Sequence, residues 1–299
     1  MNNQTNNAPF SLDNNDAYAY WRDEKLKSHP NNIADLLVEV KNPQKLSKNE
    51  YQKCCDLIKT ANMAIYIGNN TIDANPDIPK AVAKQFSLGK INKNWLADDS
   101  GLTSLTKVSS DDTRRKNYIP FTDKAINWHT DGYYNPLNKQ IYALNLHVVQ
   151  KSESGGENQL MDHEIAYILL REKNPDYIQA MMQNDAMTIP AGIDMFGKPR
   201  PDSVGPVFST TEDGFLHMRY TARKRNIHWA ENETLTAARS YLGEITNDPD
   251  SNFIFKGLLE PGMGLISNNI LHDRAAFTDS QTHKRHYYRA RYFERIQCA

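Results

Sequence analysis

The chain has 299 residues, of which 39% are hydrophobic and 24% are charged, so it can bury the sizeable core of a globular protein. Its formal net charge of -1 at pH 7 gives no general reason to expect nucleic acid or an anionic membrane surface as a partner. No uninterrupted apolar run approaches the length that a membrane-spanning helix needs.

The first residues, "MNNQTNNAPFSLDNND", are rich in Asn and have neither the basic nor the apolar region of a signal peptide. They predict a flexible N-terminal arm over residues 1–16, followed by a single domain over residues 17–299. Cys54, Cys55 and Cys298 lack the spacing of metal ligands, which indicates reduced thiols in a cytoplasmic protein. Cys54 and Cys55 lie in a helical pattern, where we interpret them as packing residues.

Two helices and a strand are predicted in the N-terminal third. Ser47 and Glu50 have the spacing of a capping box, and apolar residues follow at helical spacing through "KNEYQKCCDLIKTAN". "MAIYIG" then predicts a short buried strand that ends at Gly68. Residues 79–88 predict a second helix, with Pro in its first turn and Gly at its end.

From Ile141 the hydrophobic pattern changes to a period of two. "IYALNLHVV" alternates between two faces and is rich in β-branched and aromatic residues, which is typical of a strand. "SESGGENQ" predicts a loop, and the following helix begins after Asp162 and breaks near Asn174 and Pro175. "GPVFST", "GFLHMRYT", "GLISNNIL" and "RHYYRARYF" predict further strands. Without an internal repeat, the pattern indicates one β-rich domain wrapped by helices.

Three separated polar residues can act together as metal ligands. In "INWHTDGYYN", His129 and Asp131 project to the same side if the segment is extended, because side chains alternate along a strand. His272 closes the apolar strand "GLISNNIL" and can face the first pair, and Asn268 and Asn269 just before it can orient the ligands. Two imidazoles and one carboxylate that leave other coordination positions open form the facial triad of non-haem Fe(II) oxygenases.

The last predicted strand carries several cationic side chains on one face. A period of two in "KRHYYRARYF" places Arg285, Tyr287, Arg289 and Arg291 together. Burying these guanidinium groups is costly without anionic partners, and an arginine can bind a carboxylate in a bidentate way. We therefore expect at least one of these arginines to point into a ligand site.

Four motifs in this order, "WHTDGYY", "GGENQLMD", "NNILHDRAAF" and "RHYYRARY", resemble those of the TauD/TfdA-type Fe(II)- and 2-oxoglutarate-dependent dioxygenases. The resemblance covers most of residues 94–296. It implies a mainly β fold with flanking helices, the double-stranded β-helix or jelly roll that the family shares with cupins. It also implies Fe(II), 2-oxoglutarate as a co-substrate, and O2.

Carried over by position, the resemblance implies that His129, Asp131 and His272 bind the iron. Arg285 would bind the distal carboxylate of 2-oxoglutarate. Arg289 would share that role or face the primary substrate.

Four other residues are candidate ligand contacts. Where the family usually has a hydroxyl residue after the Gly-Gly pair, this chain has Asn158, whose amide can still donate a hydrogen bond to 2-oxoglutarate. Tyr133 is a candidate substrate contact, with packing as the alternative. Arg219 and Arg223 lie in a basic stretch of the kind that is usually a solvated face. The resemblance brings this stretch close to the mouth of the site, so both arginines are candidates for binding an acidic substrate.

The reaction expected from the resemblance is decarboxylation of 2-oxoglutarate to succinate and CO2, coupled to oxidation of a small organic molecule, for which the arginines favour an anion. Asp131 favours hydroxylation, or desaturation or cyclisation, because halogenating relatives lack this carboxylate. Two alternatives stay open: a zinc-dependent hydrolase with the same ligands, and a catalytically inactive metal-binding jelly roll that binds a ligand. A homo-oligomer, as a dimer or tetramer, fits the habit of the relatives.

Overall fold

The computed structural model describes residues 9–68, 73–94, 97–109, 111–112, 115–116, 118–193 and 198–298. Six α-helices lie in these ranges: α1 (Asn15–Ser28), α2 (Lys48–Ala61), α3 (Asp77–Gln85), α4 (His163–Lys173), α5 (Pro175–Met181) and α6 (Glu233–Asn247). The strands of the same ranges are β1 (Leu37–Glu39), β2 (Met63–Ile67), β3 (Thr103–Thr106), β4 (Ile126–His129), β5 (Ala143–Gln150), β6 (Ser154–Gly155), β7 (Asn158–Met161), β8 (Met187–Ile189), β9 (Gly192–Ile193), β10 (Pro199–Arg200), β11 (Ser203–Gly205), β12 (Phe208–Thr210), β13 (Leu216–Met218), β14 (His228–Trp229), β15 (Phe255–Gly257), β16 (Met263–Ser267), β17 (Leu271–Arg274), β18 (Phe277–Thr278) and β19 (His286–Tyr292).

Two sheets form the body of the protein. The larger has six strands in the order β1-β2-β16-β5-β19-β3, and the smaller has four in the order β15-β7-β17-β4. All their pairings are antiparallel except that of β1 with β2. Leu146 and Leu265 of the large sheet share one buried core with Leu160 and Phe255 of the small sheet. The predicted mainly β jelly roll with flanking helices is therefore confirmed.

Helices cover the outer faces of both sheets. Cys54 of α2 and Val82 of α3 pack with Tyr66 and Ile266 on the outside of the large sheet. The other four helices share a second core with Trp128 and with further residues from the outside of the small sheet. Because both outer faces are covered, the inner faces of the sheets are left for the core and for any ligand site.

Most of the predicted elements lie where their patterns placed them. Ser47 and Glu50 form both hydrogen bonds of the capping box that starts α2, and β2 follows as the predicted buried strand. Asp162 caps α4, and Asn174 separates it from α5, whose first residue is Pro175. The helix expected over residues 79–88 is present as α3, although it begins two residues earlier, at Asp77.

Two predictions of chain organisation need correction. "GLISNNIL" is two strands in different sheets, because Asn269 has a φ of 52° and turns the chain between β16 and β17. His272 therefore lies within β17 and does not close β16. The first half of the arm predicted over residues 1–16 lies outside the described residues. The second half is packed, because the Phe10 ring is buried against Trp21 and Tyr167.

The cysteines differ from the expectation of three reduced thiols. Cys55 and Cys298 form a disulfide, with a Cα–Cα distance of 5.7 Å across a sequence separation of 243 residues. A pairing over such a separation follows from the fold and has no local signal. Cys54 is a buried free thiol, as predicted. Among the described residues, no helix is both long and apolar enough to cross a membrane.

Candidate metal and co-substrate site

Two histidines face each other across neighbouring strands of the small sheet. His129 ends β4, and its Cα is paired in antiparallel register with that of His272 on β17. Their ring centroids are 4.3 Å apart. The preceding residues, Trp128 and Leu271, pack in the outer core, so alternation along each strand turns both imidazoles to the inner side of the sheet.

The hydrogen bonds of these histidines define which ring nitrogen is free. Nδ1 of His129 lies 2.9 Å from the carbonyl oxygen of Asn127, and Nδ1 of His272 lies 3.0 Å from that of Ile270. A carbonyl oxygen only accepts, so each Nδ1 carries the proton and each Nε2 keeps its lone pair. Burial and the neighbouring His272 lower the pKa of His129 to about 3, and burial lowers the pKa of His272. Both rings are therefore neutral at pH 7, as metal ligands must be.

The backbone of Asp131 is held by an asparagine from the turn before β17. The Asp131 N–H donates to Oδ1 of Asn269 at 2.8 Å, and Nδ2 of Asn269 donates to the Asp131 carbonyl at 3.0 Å. The same amide donates to the carbonyl of Ile141 at 2.6 Å. Asn269 is buried and has a left-handed backbone, which asparagine tolerates better than most residues. This clamp joins the segment of Asp131 to the segment of His272.

The carboxylate of Asp131 lies among buried arginines. Its Oδ1 accepts a hydrogen bond from Nη1 of Arg289 at 3.1 Å and lies 3.5 Å from Nη1 of Arg291. Burial alone would raise the pKa of this carboxyl, but the two guanidinium groups hold it well below its usual range. Oδ2 of Asp131 is buried and has no hydrogen-bond partner among the residues that the structure describes.

The two imidazoles and the carboxylate of Asp131 are ligand types that suit Fe(II). Within the ranges that the structure describes, no three His, Cys, Asp or Glu side chains are grouped as a complete metal-binding set, and the carboxylate of Asp131 is engaged with Arg289. The two Nε2 atoms and the unpaired Oδ2 of Asp131 nevertheless supply the donor types of a site with two histidines and one carboxylate.

A second group of cations lies near the start of β19. Arg285 is 4% exposed, and its guanidinium lies 3.8 Å from the centroid of the Tyr287 ring. Its Nε has no hydrogen-bond partner within the described ranges. Arg274 at the end of β17 donates to the carbonyls of Thr122 and Lys124. Burial, followed by repulsion from Arg285, lowers the pKa of Arg274 to about 9. Among the described residues, no ion pair joins either guanidinium to a carboxylate.

Arg274 was missed by the sequence reasoning, although it stands in the motif "NNILHDRAAF". Its position two residues after His272 on the same strand was the available signal. Asn158 is only partly free to act as predicted. Its Nδ2 donates to the carbonyl of Asp273 at 2.7 Å, which leaves one N–H, while its Oδ1 is buried and has no partner among the described residues.

Comparison with known proteins is consistent with this geometry. The model of the taurine catabolism dioxygenase TauD, TfdA family matches residues 70–291, which is more than half of the chain. The chain belongs to this family. A curated relative, a uridine-5'-phosphate dioxygenase from Amycolatopsis sp., is 31% identical over 185 residues. That match covers 56% of this chain and 60% of the relative, so the chain spans less than two thirds of the relative's length.

Several solved oxygenase structures share the fold of this chain at low sequence identity. A taurine dioxygenase from Burkholderia xenovorans has a TM-score of 0.55 and 16% identity, over 88% of this chain and 89% of that one. Asparagine oxygenase, in complex with Fe(II), 2S,3S-3-hydroxyasparagine and succinate, has a TM-score of 0.57 and 10% identity, over 97% and 86%. The non-heme iron oxygenase OrfP, with Fe, succinate and (3S)-hydroxy-L-Arg, has a TM-score of 0.60 and 12% identity, over 84% and 82%.

The predicted substrate residues of this TauD/TfdA-family chain lie in two different environments. Tyr133 is half-buried beside His129, with ring centroids 6.3 Å apart, so it borders the histidine pair. Arg219 is buried, and all five of its N–H donors are used. They bond the carbonyls of Tyr133, Met187, Gly205 and Ser203 and the hydroxyl of Ser203. No donor of Arg219 is left for a substrate, so the predicted substrate contact is wrong. Arg219 holds the backbone of Tyr133 in place instead.

Proposed function

We propose that this protein is an Fe(II)- and 2-oxoglutarate-dependent dioxygenase. It would couple decarboxylation of 2-oxoglutarate to succinate and CO2 with oxidation of a small anionic molecule by O2. The observation that carries the proposal is the cross-strand pair of neutral histidines beside the unpaired Oδ2 of Asp131, in a chain of the TauD/TfdA family. The carboxylate ligand favours hydroxylation as the outcome, with desaturation or cyclisation as variants.

His129, His272 and Asp131 would hold the iron. Bound there, Fe(II) supplies the redox chemistry that activates O2. The carbonyls of Asn127 and Ile270 keep each ring in one tautomer, with Nε2 free. Trp128 and Leu271 pack behind the two histidines and fix the direction in which the rings project.

Arg285 would bind the distal carboxylate of 2-oxoglutarate. Its buried guanidinium lies against the Tyr287 ring, which orients its plane for bidentate binding. Arg274 adds a second buried positive charge, and repulsion from Arg285, after burial, lowers the pKa of its guanidinium. A dianionic co-substrate would compensate two charges that have no carboxylate partner among the described residues.

The primary substrate would be small and anionic, with Arg289 and Tyr133 on its side of the site. The relative from Amycolatopsis sp. is named for uridine 5'-phosphate, so phosphorylated nucleosides are the first compounds to screen. The cytoplasmic location and the dimer or tetramer stay predictions from the sequence.

An anaerobic titration tests the proposal. Apoprotein receives Fe(II) and then 2-oxoglutarate, and the visible charge-transfer band of the chelate is recorded. We expect a saturable band that His272→Ala abolishes. The exposed His283 provides a matched control, and His283→Ala should retain the band. Tight zinc binding without any band would favour the zinc hydrolase or the non-catalytic module, and the proposed function would then be rejected.

A further inference from the structure

Arg291 is a buried arginine to which neither the metal nor the co-substrate role has been given. It lies on the inner face of β19, two residues after Arg289, and is 2% exposed. Its Nη1 donates to the hydroxyl of Tyr134 at 2.7 Å and lies 3.5 Å from Oδ1 of Asp131. One corner of the guanidinium is thus fixed by protein groups.

The opposite edge of this guanidinium has no partner in the described part of the chain. Nε and Nη2 of Arg291 are buried and form no hydrogen bond with any residue that the structure describes. These two nitrogens lie on one side of the planar group, which is the geometry that donates parallel hydrogen bonds to two oxygens of one anion. A buried donor pair without an acceptor is rare in folded proteins and calls for a specific explanation.

The local charges also require an anion. Arg289 and Arg291 share a single carboxylate, that of Asp131, which already accepts the shorter contact from Arg289. Within the described residues, one positive charge in this buried cluster therefore lacks a counter-charge of its own. Buried charges are found paired in most proteins, so a ligand anion is the partner that the cluster lacks.

A row of polar aromatic and cationic groups connects Arg291 with the surface. The Tyr134 ring contacts the Tyr133 ring, with centroids 5.3 Å apart, and both tyrosines are half-buried. Arg223 lies over the Tyr133 ring at 5.4 Å. This arrangement gives an anion an electrostatically favourable approach to the buried arginine pair.

We infer that Arg291, oriented by Tyr134, binds an oxyanion group of the primary substrate through its Nε–Nη2 edge. The inference rests on the proposed function and locates the anion of the substrate within that same site. The ligand class is a small organic molecule with a phosphate, sulfonate or carboxylate group. Arg291 is then a specificity residue that distinguishes charged substrates from their neutral analogues.

The test measures anion binding to the full chain loaded with Mn(II) and saturating 2-oxoglutarate, so that the co-substrate site is filled and no turnover occurs. Isothermal titration calorimetry uses inorganic phosphate, uridine 5'-monophosphate and neutral uridine as probes. Arg291→Gln should weaken binding of the two phosphates at least about tenfold, as expected for hydrogen bonds to a charged group. Arg291→Lys should recover only part of the affinity, because lysine lacks the bidentate edge.

A matched control separates a specific contact from long-range attraction. Arg225→Gln removes the same charge from an exposed residue of the basic stretch and should leave phosphate binding close to that of the wild type. Equal losses in the Arg225 and Arg291 variants would overturn the inference, as would a wild type that binds neither phosphate probe. If Arg291→Gln does not fold, Arg291→Lys and Tyr134→Phe carry the test, and wild-type affinity in both would overturn it.

The Fe(II)–2-oxoglutarate band distinguishes the two levels of failure. A wild type without the band contradicts the proposed function and with it the role of Arg291. A wild type that shows the band, together with an Arg291→Gln variant that keeps full affinity for uridine 5'-monophosphate, contradicts the role of Arg291 alone.

Discussion

Replacing Asn269 by glycine isolates the clamp that holds Asp131. Glycine adopts the left-handed backbone of this position without strain, so Asn269→Gly removes the side chain and leaves the turn between β16 and β17 allowed. The three hydrogen bonds to Asp131 and Ile141 are lost, and the buried groups that made them lose their partners. We expect the position of Asp131 relative to His272 to loosen.

The size of the effect follows from those three bonds. At about 0.5–1.5 kcal/mol each, they contribute about 1.5–4.5 kcal/mol to the free energy of unfolding. Residues that orient metal ligands typically change metal affinity by about 10–100-fold when they are replaced, and we expect Asn269→Gly to weaken Mn(II) binding within that range.

Mn(II) affinity and urea unfolding are measured on the same full-length proteins. Asn226 offers a matched control, because it also has a left-handed backbone, with a φ of 53°, but is exposed and lies outside the clamp. Asn226→Gly should bind Mn(II) like the wild type. If Asn269→Gly unfolds more easily yet keeps wild-type affinity for Mn(II), the clamp stabilises the fold only, and the argument that it positions Asp131 is refuted.

Three further outcomes are expected. Arg285→Gln should raise the KM for 2-oxoglutarate about 10–100-fold, from the worth of a charge-assisted bond; a larger defect in Arg289→Gln would exchange the roles of the two arginines. Burial lowers the pKa of His147 to about 4 and that of His217 to about 3. Both therefore stay neutral in the folded protein, while in the unfolded chain they gain protons below about pH 6.5. The free energy of unfolding should therefore decrease as the pH is lowered below about 6.5, by about 2 kcal/mol for each histidine at pH 5. Urea unfolding between pH 7 and pH 5 checks this, and His217→Gln should flatten the dependence; an unchanged slope would contradict it. Cys298→Ser should lower the free energy of unfolding by about 2–4 kcal/mol, and a reductant should bring the wild type to the same value but leave the variant unchanged.

The candidate ligands could be predicted because their signals are local or carried by the family motifs. His129 and Asp131 lie two positions apart in a segment that begins as a strand, and the arginines of β19 follow the same period. Capping residues predicted the starts of α2 and α4 for the same reason, since the start of a helix is determined within one turn. Local patterns of this kind predict the structure correctly when one continuous face of the element is buried.

Features that depend on distant partners could not be predicted. The clamp on Asp131 requires Asn269 to turn the chain, and a run of apolar residues around it gives the appearance of a single strand. The bond between Cys55 and Cys298 depends on the C-terminal segment returning to α2. Arg219 lies in a basic stretch of the kind that is usually exposed, yet backbone carbonyls of β8 and β11 satisfy its guanidinium in the interior.

The arrangement of arginines along β19 argues for two anions in the site. Arg285 immediately precedes β19 and Arg291 lies within it six residues later, so at about 3.3 Å per residue their Cα atoms are separated by about 20 Å. Side chains stand roughly perpendicular to a sheet, so their guanidinium groups keep much of that separation. One dicarboxylate cannot satisfy both ends of such a row. With the co-substrate bound at Arg285, as proposed, the cations around Asp131 would be left to a second anion, and Arg291, with its unpaired edge, is the residue best placed to bind it.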